Sequence, residues 1–366
     1  MGEKRHAPDY LLLAVILILV GVGVLLVFSS STSISYARYG NNWHYLRRQL
    51  IWAAIGLVFM YIVSRINYWK FRAVANFALI GSIILLVALF IPGVGLMANG
   101  STRWIDIGFT TLQPSEIAKV ALLVWTAHII CVKGKKISSF TVGSLPVLLI
   151  TGLIGLLVAM QPDLGSATVI AAIPISMLFA AGMPWLQVIF VSMCGAGLVG
   201  AYAMIAPYRM ARVLSFIDPW KDPGDTSWQL IQSLYAIGSG GLFGRGIGKS
   251  MLKLFFLPAP HNDFIFSVAA EEVGFIGCVL LIALFAYLVF RGMRIAINAP
   301  DRFGGILALG ITMMIGLQAL VNMMVVTGSM PVTGITLPLI SYGGSSLVIN
   351  MASLGILLNI SKYSTE

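Results

Sequence analysis

The chain alternates between long apolar runs and short polar connections. The runs lie at roughly 10–28, 49–64, 73–91, 115–132, 142–160, 164–182, 185–206, 264–290, 304–326 and 345–361. Most approach the ~20 apolar residues that an α-helix needs to cross a bilayer core, so the pattern predicts about ten transmembrane helices. Tyr10 to Phe28 carries no charge, exceeds the ~7–15 residues of a secretory h-region and lacks an A-x-A-like site, which makes it the first span rather than a signal peptide. No Pro/Ser-rich or low-complexity tract separates soluble domains. The expected fold is an all-α integral membrane protein, a single ten-transmembrane-helix bundle over residues 1–366.

Basic residues orient this bundle. Lys4 and Arg5, then Arg65, Lys70 and Arg72, then Lys133, Lys135 and Lys136, then Arg291, Arg294 and Arg302, and finally Lys362 all fall on one side if the spans alternate. Short loops rich in Lys and Arg stay in the cytoplasm, so both termini are expected there, in a multi-pass protein of the plasma membrane. The other side holds residues 29–48, 92–114, the Gln161-Pro162-Asp163 turn, a large extracellular loop 207–263 between helices seven and eight, and 327–344. The large loop also carries Arg209, Arg212, Lys221, Arg245 and Lys249. Long loops are largely exempt from the orientation rule, so those cations call for their own explanation.

Composition excludes other classes. Of 366 residues, 58% are hydrophobic and only 10% charged, with a mean hydropathy of +0.94, whereas soluble domains are about 25% charged. The net charge of +10 is dispersed between apolar runs rather than gathered into a patch, which argues against nucleic acid as a partner. Cys131, Cys194 and Cys278 form no CxxC pair and the four histidines are scattered, so neither a disulfide framework nor a protein metal site is indicated.

Ionisable groups in or beside spans are costly and therefore mark candidate chemistry. Glu116 and Lys119, three apart at the outer end of the fourth span, share a helical face and form either a structural bridge or a functional pair. Asp263 opens the eighth span where the basic loop meets the membrane. It suits an N-cap, and equally a general base whose pKa is raised by partial desolvation. Glu271 and Glu272 follow in the same helix, and at least one is expected to pair with a polar group on a neighbouring helix. Gly240-Gly241-Leu242-Phe243-Gly244-Arg245-Gly246-Ile247-Gly248-Lys249-Ser250 ends like a P-loop, but GxxxxGK[ST] requires Gly where Phe243 stands and no strand precedes it. It reads as a glycine hinge with cations near a phosphate-bearing headgroup, or as a structural turn. Gln161-Pro162-Asp163-Leu164-Gly165 and the Pro331 to Ser346 segment break helices on the outer side, and as irregular backbone they line a cleft or form ordinary turns. Cations, a boundary carboxylate and an outer cavity together suit an anionic amphiphile such as a lipid pyrophosphate, in either transport or transfer.

At these positions the sequence closely resembles the SEDS family of peptidoglycan polymerases, typified by FtsW, RodA and SpoVE. The resemblance covers nearly the whole chain. It rests on Gln113-Pro114-Ser115-Glu116 with Lys119, Gln161 to Gly165, Ala206-Pro207-Tyr208-Arg209, Gly240 to Gly244, Asp263-Phe264-Ile265-Phe266 and Ile340 to Ser346. Asp218-Pro219-Trp220, the Val325 to Pro338 segment and the Asn359 to Tyr363 ending look more like the FtsW and SpoVE branch than RodA. The resemblance implies a glycosyltransferase that joins lipid II units with inversion and expels undecaprenyl pyrophosphate in division, shape or sporulation. It implies no nucleotide cofactor, although Mg or Mn carried by the substrate remains compatible, and a class B penicillin-binding protein as partner. Carried onto this chain, Asp263 becomes the candidate general base. Glu116 and Lys119 match the family's functional pair, Arg209, Arg245 and Lys249 are candidates for pyrophosphate binding, and Gln161, Asp163 and Ser341 are candidate substrate-binding residues. Ala259 and Asn262 stand where the family often has Glu and Thr, so the aspartate's tuning is expected to differ. A lipid II flippase and a non-catalytic divisome scaffold are the competing functions. A flippase is expected to show a repeat with broken helices, and no clear internal repeat is present.

Overall fold

The structure, a computed structural model, describes residues 6–98, 101–108, 110–204, 207–221, 223–224, 227–251 and 260–364. Its helices are α1 (Tyr10–Tyr39), α2 (His44–Arg65), α3 (Trp69–Ala88), α4 (Pro114–Lys133), α5 (Leu145–Met160), α6 (Leu164–Ala180), α7 (Trp185–Met204), α8 (Pro207–Ile217), α9 (Trp228–Gly240), α10 (Ile265–Ile297), α11 (Arg302–Val326) and α12 (Gly344–Ser361). Among the described residues nine helices are long and apolar enough to span a membrane, and α6, at 17 residues, is a shorter apolar helix beside them. Each predicted run therefore has its helix. Phe77, Ile84, Leu25 and Leu149 are 61–77% exposed on the outside of the bundle, as expected where lipid rather than water is the solvent.

Local chemistry sets the helix ends. Asp9 caps α1 by accepting the Leu12 N–H at 2.9 Å. Asp163 caps α6 through Ser166 N–H at 3.1 Å, and Asp301 caps α11 through Gly304 N–H at 2.8 Å. Gly40 closes α1 in the left-handed conformation at φ 64°, its N–H on the Tyr36 carbonyl at 2.8 Å. The first helix thus runs well past Phe28.

Two features depart from an all-helical reading. A small antiparallel sheet, β1 (Gly95–Ala98), β2 (Ser101–Asp106) and β3 (Thr111–Leu112), fills the connection between α3 and α4. The second is a break in α10 at Gly274, where φ is 67° and ψ −168°. Breaking the helix frees carbonyls and N–H groups that must be satisfied at membrane depth. The glycine-rich segment after α9 supplies them: Arg245 and Gly246 N–H donate to the Glu271 and Glu272 carbonyls at 2.9 and 3.0 Å, while Phe275 and Ile276 N–H donate to the Gly241 and Leu242 carbonyls at 2.9 and 3.2 Å. A Cβ on Gly274 would lie 2.2 Å from the Gly244 amide nitrogen, so this backbone contact excludes any side chain.

The same clasp accounts for the buried glutamates. Glu271 accepts from Ser250 Oγ at 2.6 Å and Met251 N–H at 2.9 Å and pairs with Arg245 at 3.2 Å; Glu272 accepts from Ser29 Oγ of α1 at 2.5 Å. The expected partner on a neighbouring helix is Ser29.

Candidate functional site

Asp263 lies in the turn 260–264 immediately before α10. It does not cap that helix: the N-cap position is Phe264, with no side-chain cap bond. The turn is instead held by its carbonyls. Asn322 of α11 donates from Nδ2 to the Asp263 carbonyl at 2.8 Å and to the Ile335 carbonyl at 2.6 Å. Ser341 Oγ donates to the Asn262 carbonyl at 2.7 Å and accepts the Leu337 N–H at 2.8 Å, and Tyr342 N–H donates to the His261 carbonyl at 2.9 Å. Three consecutive carbonyls are thus anchored, those of His261 and Asn262 to the irregular loop before α12 and that of Asp263 to α11, which fixes the direction of the Asp263 side chain through the main chain. Ser341 is buried and acts here as a brace.

Opposite Asp263 stands Arg103 of β2. A methyl group placed on Gly334 would lie 3.5 Å from Asp263 Oδ2 and 4.0 Å from Arg103 Nη1, so carboxylate and guanidinium converge over that glycine. Arg103 is itself positioned by the break between α5 and α6. Its Nε donates to the Gln161 carbonyl at 3.3 Å, its Nη2 donates to the Pro162 carbonyl, and Nη1 lies 3.7 Å from Asp163 Oδ1. Gln161 donates from Nε2 to the Leu86 carbonyl at 3.1 Å and is only 2% exposed, as is Asp163. These two predicted substrate-binding residues are thus placed behind Arg103, holding it.

Glu116 and Lys119 form a buried pair, with Oε1 and Nζ 2.8 Å apart and relative exposures of 4% and 3%. Charges so deeply buried need further partners. Lys119 Nζ donates to Gln318 Oε1 at 2.7 Å, Ser346 Oγ donates to Glu116 Oε2 at 3.1 Å, and Gln318 Nε2 donates to the Thr336 carbonyl at 3.1 Å. Gln318 and Asn322 are one turn apart on α11. One holds the 335–336 loop to the ion pair; the other holds it to Asp263. The pair is thus linked to the carboxylate through two amides and a loop.

An aromatic wall closes the other side. His261 packs against Tyr45 with ring centroids 4.5 Å apart and against Tyr342 at 5.5 Å, and the two tyrosines are 5.1 Å apart. Burial, and secondarily the Arg38 charge, push the His261 pKa down to about 4, so the imidazole is neutral at pH 7. Burial raises the Tyr342 pKa, opposed by a hydrogen bond from Arg48.

The predicted phosphate-binding cations lie elsewhere on the 207–263 segment. Arg245 pairs with Glu271 in the α10 clasp and Lys249 is exposed on the same loop. Arg209 falls on α8, with its side chain outside the described residues, as is Ala259. Sequence reasoning missed Arg103, Gln318, Asn322 and the wall of Tyr45 and His261. A signal for Arg103 was present: Asn99-Gly100 precedes Ser101-Thr102-Arg103-Trp104-Ile105, a hairpin dipeptide before a β-branched and aromatic run.

Known proteins share this architecture. The chain is 43% identical over 365 residues to stage V sporulation protein E of Bacillus subtilis, covering 100% of both chains. It is 42% identical over 361 residues to a probable peptidoglycan glycosyltransferase FtsW of a Geobacter species, covering 98% of each. Among solved structures, a chain described under structural coordination of polymerization and crosslinking by a peptidoglycan synthase complex superposes with a TM-score of 0.81 at 31% identity, over 97% of this chain and 98% of that one. The rod shape determining protein RodA of Thermus thermophilus matches with a TM-score of 0.72 at 29% identity, over 98% of both. The family model for cell cycle proteins FtsW, RodA and SpoVE matches residues 9–366, and the chain belongs to that family.

Proposed function

We propose that this protein is a peptidoglycan glycosyltransferase that polymerises lipid II at the outer face of the plasma membrane. The observation that carries the reading is the convergence of Asp263 and Arg103 over Gly334, with the Asp263 turn anchored by Asn322 and Ser341. The names of the relatives supply the reaction class.

In this reading the 4-hydroxyl of one lipid II attacks the anomeric carbon of another. Asp263 takes the hydroxyl proton as the new C–O bond forms, and the bond to undecaprenyl pyrophosphate breaks with inversion. The leaving group departs with its electron pair, so nearby cations stabilise the charge that develops there. Arg103, which converges with Asp263 over Gly334, is the candidate for that role; Arg245 is committed to Glu271 in the α10 clasp, and Arg209 and Lys249 remain candidates on the 207–263 segment. Gln161 and Asp163 serve by aiming Arg103, and the Glu116–Lys119 pair serves by setting the 335–336 loop. A divalent ion carried by the pyrophosphate is compatible with this arrangement. Both termini are assigned to the cytoplasm by the positive-inside pattern. The partner is proposed to be a class B penicillin-binding protein, in keeping with the synthase complex that holds the 0.81 structural relative.

The test is to supply purified protein with lipid II in detergent and in liposomes, with and without a class B penicillin-binding protein, and to read both glycan length and lipid II translocation. The expected result is glycan strands with no translocation. Translocation without polymer would replace this reading with a transporter, and neither activity with the partner present would leave a scaffold.

A further inference from the structure

Opposite the Asp263 end, where α2 and α12 finish and α1 begins, lies a cavity of about 470 Å³. Its lining includes Arg65, Lys362 and His6, and among the described residues no acidic side chain lines it. We propose that this cavity binds the phosphate headgroup of an anionic phospholipid from the adjacent leaflet, the cytoplasmic one under the positive-inside assignment. The inference goes beyond the glycosyltransferase reading and does not depend on it.

The cavity is preorganised. The N-terminal segment is tied across the end of α12 by His6 N–H to the Lys362 carbonyl at 2.8 Å and Asp9 N–H to Ser361 Oγ at 3.1 Å. Asn359 joins the other wall, donating to the Ser64 carbonyl at 2.8 Å and accepting the Tyr68 N–H at 3.0 Å. Asp9, beside the cavity in sequence, is committed to Arg291 at 2.6 Å and to the α1 cap, so it does not neutralise the basic side chains. Arg65 lies over the Tyr61 ring at 4.9 Å and donates one hydrogen bond, at 3.0 Å, to the Tyr61 hydroxyl. A guanidinium carries five donors, and the planar fork matches phosphate oxygens.

A lipid is favoured over free phosphate by what surrounds the cations. Leu13, Met60 and Leu358 give the cavity an apolar wall. Tyr10 and Tyr61, 65% and 59% exposed, flank it on the outer surface of the bundle. Tyrosines at that level mark the boundary between headgroups and acyl chains. Helix-end arginine and lysine can also serve only as caps: Lys362 Nζ does donate to the Ser64 carbonyl at 2.8 Å. That role accounts for Lys362 and leaves the concentration of Arg65, the imidazole and two exposed tyrosines around one cavity unexplained.

The experiment is native mass spectrometry of the full chain titrated with phosphatidylglycerol, with phosphatidylcholine of the same acyl chains, and with sodium phosphate as competitor. One phosphatidylglycerol is expected to be retained preferentially. Arg65→Gln with Lys362→Gln should weaken it about thirtyfold, since each basic residue near an anionic leaflet contributes about 1 kcal/mol. Arg65→Gln alone, which leaves the Lys362 cap in place, should weaken it severalfold with an unchanged melting temperature. Lys135→Gln with Lys136→Gln, exposed in the separate 134–138 turn, should leave it unchanged. Equal retention of both lipids, wild-type retention by the Arg65 variants, or an equal loss in the Lys135 and Lys136 control would overturn the proposal. Displacement by millimolar phosphate would overturn the lipid assignment in favour of a free anion.

Discussion

Single residues set the chemistry at the Asp263 end, and their environments make distinct predictions. In the proposed reaction Arg103 would contribute a charge-assisted contact to the departing pyrophosphate, a class of interaction worth about 1.5–3 kcal/mol. Arg103→Ala should therefore lower the polymerisation rate by roughly 10- to 150-fold, and because it strips the buried Asp163 of its ion-pair partner it should lower the melting temperature as well, so the rate is compared at a temperature where both proteins are folded. His261 predicts a pH effect with a definite sign. Its folded pKa of about 4 lies below the ordinary 6.5, so the unfolded chain binds the proton more tightly. Stability is then full above pH 6.5 and falls as the pH drops toward 4, by on the order of 3 kcal/mol at the limit. Melting curves of wild type and His261→Gln across pH 4–7 should converge at the neutral end and separate in acid, the variant having lost this component of the slope.

The elements show which parts of the architecture sequence pattern can reveal. Hydrophobic run length located the spanning helices because lipid forces every span to satisfy its own backbone, leaving length and apolarity as the dominant signal. The α10 break was not legible. Its cause is a pairing between Gly274 and the Gly241–Gly246 backbone, two segments whose complementarity appears only once they are brought together. The glycine motif was visible, but its use was open between headgroup contact and turn, and the structure shows it occupied as a clasp. Gly274→Ala should disrupt that clasp, because it meets both a positive φ and a 2.2 Å contact with backbone. A loss on the order of 1–3 kcal/mol is expected from the strained φ alone. It can be read as faster amide exchange confined to residues around 241–251 and 271–276. Unchanged exchange there would contradict the role assigned to the clasp.

At the scale of the whole molecule, the Glu116–Lys119 pair joins α4, α11 and α12 to the loop that anchors Asp263. Sequence spacing placed the two residues on one face, and that part was legible. Their connection to Asp263 was not, because Gln318 and Asn322 look like ordinary polar interruptions of a span until the fold supplies their partners. Removing one member of a buried pair costs about 3–5 kcal/mol, whereas replacing both by neutral groups costs far less. Lys119→Met should therefore unfold more readily than Glu116→Gln with Lys119→Met, a non-additivity that a double-mutant cycle in detergent measures. The central claim, that the bundle exists to present Asp263 as a base to two lipid substrates, is tested most directly by the rate of glycan formation from lipid II by Asp263→Asn beside wild type. Loss of a positioned general base predicts a rate lower by about 100-fold or more in a protein that still folds. Polymer made by Asp263→Asn at the wild-type rate would contradict it.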